Sequence, residues 1–374
     1  MTAYFGSKDW APAVLQDLVF LQRGFDITKA QQKEGEIPVI SSSGVSSRHN
    51  EAKVEGPGII IGRKGTLGSV YYSEGDYWPH DTTLWSKSLN GNNPRFVFHA
   101  LKCLGLERFN VGGANPTLNR NHIHSLPINL PGRNLQDSIV SILSAYDDLI
   151  ETNRQRIALL EEAAQLLYRE WFVHFRFPGH EHVPLTDGLP EGWERRTLLD
   201  LAEVVMGQSP KSQFYNDAGN GLPFHQGVTN YGFRFVGHRT YSTMVTKIAE
   251  AGDILVSVRA PVGRINITRD KIVLGRGLSA VRSRTGHQSF LFYALKNHFY
   301  AEDIIGSGAI YAATNKKELE GQELVAPSSM LLTEFEAQAA TIDQQIANLT
   351  SQNEKLGQAR DLLLPRLMNG EITV

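Results

Sequence analysis

The chain has 374 residues, of which 41% are hydrophobic and 20% charged, with a formal net charge of −2 at pH 7. That length accommodates two or three domains with cores of their own, and the composition excludes a disordered or collagen-like chain. A single cysteine, Cys103, excludes a disulfide-stapled framework and reads as a small buried hydrophobe in a reducing compartment.

The N-terminus MTAYFGSKDW has no basic region followed by an apolar run, and no stretch reads as a membrane span, so the expected location is cytoplasmic. Residues 1–132 form a first block of short β-rich runs: Pro38 to Ser41, Gly58 to Gly62 and Gly68 to Tyr72. Apolar residues at helical spacing predict one helix in it, from Arg95 to Leu104. Residues 133–177 then read as a single long helix. Leu143, Tyr146, Ile150, Asn153, Ile157, Leu160, Ala164, Leu167 and Trp171 repeat every 3.5 residues, a narrow seam suited to a facing helix. Pro178 to Gly192 has turn composition, so residues 178–191 form a connector.

A second block, residues 192–328, carries predicted strands Ile254 to Val258 and Arg264 to Thr268 and a predicted helix Ser289 to Phe299. Residues 329–374 return to the seam pattern with Ala339, Ile342, Ile346, Leu349, Asn353, Leu356, Arg360, Leu363 and Leu367. Pro365 should kink or fray the last turns. Two matching seams in one chain imply that the helices pack on each other. At roughly 1.5 to 3 kcal/mol per buried side chain, the gross gain is tens of kcal/mol before entropy is subtracted. Asn153 and Asn353 are placed to fix register as buried polar residues do.

The two blocks are copies. Trp10, Leu15, Asp17, Leu18 and Gly24 match Trp193, Leu198, Asp200, Leu201 and Gly207, and the run Gly58 to Gly68 matches Asp253 to Gly263. Phe96 to Lys102 matches Phe290 to Lys296, Asn119-Arg120 matches Asn315-Lys316, and Pro131 matches Pro327. Anchors in one order with small indels between them describe a duplicated unit, a compact block followed by a seam helix. The acidic excess lies in 133–191 and 329–374, whereas 1–132 and 192–328 are each net basic. Local sign governs attraction over a Debye length of about 8 to 10 Å, so nucleic-acid binding is permitted although the total charge is near zero.

Gly62-Arg63-Lys64-Gly65-Thr66-Leu67-Gly68 lacks the spacing of a phosphate-binding loop and is followed by strand-like sequence. It reads as a tight turn presenting one cation, Lys64 here and Arg259 in the copy, to a phosphate or a guanine edge, or simply to water. The pairs His122/His124 and His180/His182 have no partner at a zinc spacing, so no metal is expected. No nucleophile elbow, metalloprotease or methyltransferase motif is present, so no catalytic residue is assigned. The remaining polar loops are Ser41 to Asn50 and Asn115 to Asn121 in the first block, and His225 to Tyr231 and Tyr311 to Lys317 in the second. Their side chains are those that read base edges or anchor phosphates, and the copies differ most here. Candidate contacts are Ser43, Ser46, Arg48, Asn50, Lys64, Asn119 and Arg120, then His225, Gln226, Asn230, Arg259, Asn315 and Lys316.

Three stretches together resemble the specificity subunits of type I restriction-modification systems. They are the duplicated apolar strand with its Lys64 or Arg259 turn, the run Asp147-Asp148-Leu149-Ile150-Glu151 with Asn153 and Leu167 to Phe172, and the tail Leu363 to Ile372. The resemblance covers essentially the whole chain. It implies an α+β fold of two tandem mixed α/β target recognition domains, each followed by a long helix, with the helices pairing as an antiparallel coiled coil. It implies binding of double-stranded DNA at a bipartite asymmetric target, and no catalysis in this chain. Two modification subunits would bring S-adenosylmethionine and methylate adenine at N6, and restriction subunits would add ATP- and Mg-dependent translocation and cleavage. A seam of about 43 Å slightly exceeds one duplex turn of about 34 to 36 Å, which suits half-sites about a turn apart. A non-catalytic coiled-coil scaffold that binds only proteins remains the alternative.

Overall fold

The computed structural model describes residues 5–110, 117–301 and 313–374. The chain divides into two compact units: Met1–Arg154 with Thr350–Val374, and Gln155–Leu349. Both long helices pass through the division, so each unit contains part of each.

Unit 1 is built on a four-stranded antiparallel sheet in the order Phe20–Arg23, Thr83–Ser88, Gly58–Gly62, Val70–Ser73. Unit 2 repeats it with Ala202–Met206, Leu278–Ser283, Ile254–Ser257 and Ile265–Ile267. The central strand explains its unbroken apolar sequence. Successive side chains point to opposite faces, so Ile59 and Ile61 enter one core while Ile60 enters another with Ile40 and Tyr77. In the copy Ile254 and Val256 enter one core and Leu255 another. A strand covered on both faces has no polar side to show.

Smaller features repeat as well. Ala11–Val14 pairs with Pro127–Leu130, as Glu194–Thr197 pairs with Glu323–Ala326. A one-turn helix follows each first strand, Leu15–Leu18 and Leu198–Leu201, and the Asp17 and Asp200 carboxylates accept from the N–H groups of Val14 and Thr197. That role accounts for the paired aspartates in the two copies. The predicted block helices are observed as Pro94–Cys103 and Gln288–Ala301. The first begins at Asn93, whose side chain accepts from the Arg95 and Phe96 N–H groups, with proline in the first turn. The copies diverge in a second sheet. Unit 1 has three strands there, with Ile37–Ser41 parallel to Trp78–Pro79 and antiparallel to Gly44–His49. Unit 2 has five, around the equivalent parallel pair Leu222–His225 and Ile272–Leu274.

The long helices are Arg133–Phe172 and Ser329–Met368, and they pack on each other, antiparallel, within each unit. In unit 1, Leu143 shares a core with Leu367 and Met368, while Tyr146, Leu356 and Leu363 are half-buried. Ile150 is buried, and its carbonyl accepts from Asn353 Nδ2 at 3.2 Å. Asn153 Nδ2 donates to Asn353 Oδ1 at 3.0 Å, and Arg360 binds Asp147 at 2.6 Å. In unit 2, Ile157, Ile346 and Leu349 form one layer with Leu160 and Ile342 against it. Ala164, Tyr168, Trp171 and Phe172 meet Leu331, Phe335 and Ala339 in the main core, flanked by Leu167. Pro365 does not end the helix, which continues to Met368 with the Asn369 N–H on the Pro365 carbonyl at 2.9 Å. Proline removes one intrahelical bond, and at an exposed position in the last turns water replaces it. Among the described residues no helix is long and apolar enough to cross a membrane.

Candidate nucleic-acid interface

The glycine-rich turn is closed by the Gly62 N–H on Ser69 O and the Gly68 N–H on Gly62 O, at 2.8 and 3.0 Å. Unit 2 makes the same closure between Ser257, Arg264 and Gly263. Gly68 and Gly263 adopt φ of +72° and +80°, a region that residues with a Cβ avoid. At the head of each turn stands an exposed cation, Lys64 or Arg259, and neither side chain has an ion-pair or hydrogen-bond partner among the described residues.

The structure brings a second candidate segment to each turn. Lys64 bridges to Thr117 and Arg259 to Ala313, and the Leu118 and Thr314 N–H groups bond Arg63 O and Val258 O, each at 2.9 Å. Arg120 and Lys316 follow directly in short helices, Arg120–His124 and Lys316–Glu320. Asn119 and Asn315 cap those helices: their side chains accept from the N–H groups of Asn121 and Glu318. Their amide oxygens are thus committed to the helix ends and place the neighbouring cations, while the Nδ2 donors take no part in the caps. Lys316 also lies 3.4 Å from Glu320. Asn115, Pro116, Tyr311 and Ala312, parts of two predicted loops, lie outside the described residues.

The loop expected over Ser41 to Asn50 is a hairpin, with Gly44–His49 as a strand. As an edge strand it leaves Val45, Ser46 and Arg48 exposed, so it shows no apolar alternation to reveal it. Ser43 and Asn50 are exposed at its two ends, Ser46 donates to Val39 O at 3.2 Å, and Arg48 is held on the Glu36 carbonyl at 2.6 Å.

His225 departs from expectation. It is 1% exposed, its Nε2 lies 2.9 Å from His238 Nδ1, and burial lowers its pKa to about 4. A neutral ring enclosed in this way supports the surface from beneath. Gln226 and Asn230 do reach that surface, in a cleft of about 660 Å³ that also presents Arg239, a residue the sequence reading missed. Its signal was the polar run Gly237 to Thr240, which carries no apolar period.

Among the described residues, neither histidine pair falls in a group of three candidate metal ligands. His124 is buried and its Nε2 accepts from the Leu21 N–H at 3.0 Å, and His180 Nδ1 lies on Phe177 O at 2.9 Å. Asp26, His80 and Asp81 do converge, with ligand atoms within 4.8 Å of one another, but Arg23 already occupies Asp81 at 2.8 Å. That arrangement reads as an ion pair.

The two repeated units coincide with two matches to a known family. Residues 7–162 and 190–348 each match the type I restriction modification DNA specificity domain. The chain belongs to this family. Its relatives include a Methanocaldococcus jannaschii protein provisionally named the type I restriction enzyme MjaX specificity subunit, 31% identical over 266 residues. That match covers 69% of this chain, which spans 62% of the relative's length. The type I restriction enzyme HindI specificity subunit of Haemophilus influenzae is 24% identical over 330 residues, covering 70% of this chain and 72% of that protein. The crystal structure of the type I restriction-modification system S subunit from M. genitalium shares the fold, with a TM-score of 0.62 over 98% of this chain and 99% of that one at 16% identity.

Proposed function

We propose that this specificity-family chain is the DNA-reading subunit of a type I restriction-modification complex and recognises a bipartite, asymmetric duplex target in the cytoplasm. The observation that carries the reading is the duplication itself. One sheet-and-turn frame occurs twice with an exposed cation at the same place whose side chain has no partner among the described residues, while the second sheet differs between the copies. Equivalent cations suit phosphates, which are the same everywhere, and divergent surfaces suit different bases. Two units of this kind read two half-sites.

Catalysis is assigned to partners. This chain would bind no S-adenosylmethionine, ATP or magnesium; two modification subunits and the restriction subunits would bring them. The test is selection from a randomised duplex pool by the chain assembled with its modification subunits. Two short fixed blocks separated by a constant, unfixed stretch are expected. A scaffold that binds only proteins would enrich no duplex, and a single contiguous block would contradict the two-reader arrangement.

A further inference from the structure

We propose that Arg239, at the cleft beside Gln226 and Asn230, is a base-reading residue of the second unit and takes the purine edge of one base pair, with guanine its best partner. This inference rests on the DNA-reading function proposed above and assigns it a site. Arg239 is exposed, and none of its guanidinium donors has a partner among the described residues. Five donors in a planar fork held at the mouth of a polar cleft match the paired acceptors O6 and N7 of guanine.

The neighbours distinguish a base edge from a phosphate. Gln226 is held through its oxygen: Ser209 Oγ accepts from the Arg276 N–H at 3.1 Å and donates to Gln226 Oε1 at 2.7 Å, and the amide donors of this exposed, cleft-lining side chain have no partner among the described residues. Asp217 lines the same cleft and accepts from the Oγ1 of Thr240, the residue next to Arg239, at 3.2 Å with one of its carboxylate oxygens. A carboxylate beside the anion would weaken a phosphate site, which calls for donors alone. It suits a base pair, whose major-groove edge offers amino donors as well as acceptors. The cleft is rigid on one side, where the Tyr215 and Phe224 rings stack with centroids 4.5 Å apart. Mixed donors and acceptors, one fixed amide and one uncommitted guanidinium are the means of selecting among bases rather than of gripping a backbone.

The experiment compares the methylation motif produced in cells by the full complex carrying wild-type chain, Arg239→Ala or Arg239→Lys. With Arg239→Ala, discrimination should fall by about 5- to 150-fold at one position of one half-site. The other half-site and the spacing should stay unchanged. Arg239→Lys keeps the charge but loses the bidentate fork, so it should relax the same position. Three results would overturn the assignment. One is an unchanged motif in both variants. Another is uniformly weaker methylation with an unchanged motif that lysine rescues, which marks a phosphate contact. The third is relaxation in the half-site that also responds to Ser43 and Asn50 substitutions, which places Arg239 in the wrong reader. A wild-type complex that yields no bipartite motif would defeat the underlying function instead, so the two failures are distinguishable.

Discussion

Replacing Arg234 by methionine should destabilise unit 2 more than any other single change outside its apolar core. Arg234 is 3% exposed at its side chain and spans both long helices, bonding Glu161 and Asp343 at 2.5 Å each and Tyr293 Oη at 2.9 Å. Its guanidinium also lies 4.4 Å from the centre of the Phe292 ring. Once Arg234 is removed, Glu161, 4% exposed, keeps Lys296 at 2.6 Å as its one cation and the Gln165 amide at 3.3 Å, both on Oε1, so Oε2 loses its partner. Removing one member of a buried ion pair costs about 3 to 5 kcal/mol, because the other charge stays desolvated. At roughly 2 to 4 °C per kcal/mol for a unit of this size, Tm should fall by about 6 to 20 °C.

The acid dependence gives a second reading of the same network. Burial alone would raise the Glu161 pKa, but Arg234 and Lys296 outweigh it and hold the group below its ordinary value. Its contribution is therefore present above the usual glutamate range and lost as pH falls through the lower folded value. The penalty of Arg234→Met should accordingly be largest near neutrality and shrink in acid, where Glu161 is protonated in both chains. Urea unfolding of wild type, Arg234→Met and Arg234→Met/Glu161→Leu at several pH values measures this. The double variant should recover most of the loss. A single-variant loss below about 1 kcal/mol, or a penalty independent of pH, would refute the reasoning. Arg234 lies between Asn230 and Arg239 in sequence, so the same variant should weaken reading of one half-site only.

The asparagine pair predicts a different pattern. Asn153→Leu leaves Asn353 Oδ1 without its donor, although Nδ2 keeps the Ile150 carbonyl, and should cost about 1 to 3 kcal/mol, while Asn153→Leu/Asn353→Leu should restore stability; equal melting of the single and double variants would contradict it. Lys64→Ala should weaken duplex binding by the assembled complex and reduce the salt slope by about one, whereas an unchanged slope and affinity would return Lys64 to a solvated turn. Burial lowers the pKa of His99 to about 4, so the unfolded chain binds a proton that the folded chain refuses between about pH 6.5 and that value. The stability this group supports is present above about pH 6.5 and is lost as pH falls through about 4. His99→Phe should flatten the fall in stability over that window, as seen by thermal unfolding against pH; an identical slope would show that other groups carry it.

The repeats and the helices were legible because their signals are local. A 3.5-residue period, a strand buried on both faces and a turn with glycine at positive φ each leave a pattern readable within a few residues. The site was less legible, since its roles are set by distant partners. Asn119 and Asn315 show nothing in sequence of the helix ends that commit their amide oxygens. His225 looks like a surface ligand until it is found beneath His238. Arg48 looks free until it meets Glu36 twelve residues away. Arg234 and Arg239 are five residues apart with the same side chain, yet one is locked between two helices and the other faces solvent; only the fold tells them apart.

The most direct test of the account is methylation-sensitive sequencing of genomic DNA from cells with and without this chain, its modification subunits expressed and active in both. The account predicts a motif of two short blocks with modified adenines, separated by a fixed spacer, that disappears with the chain. Unchanged methylation would contradict it and leave the duplicated units as binding sites for protein alone.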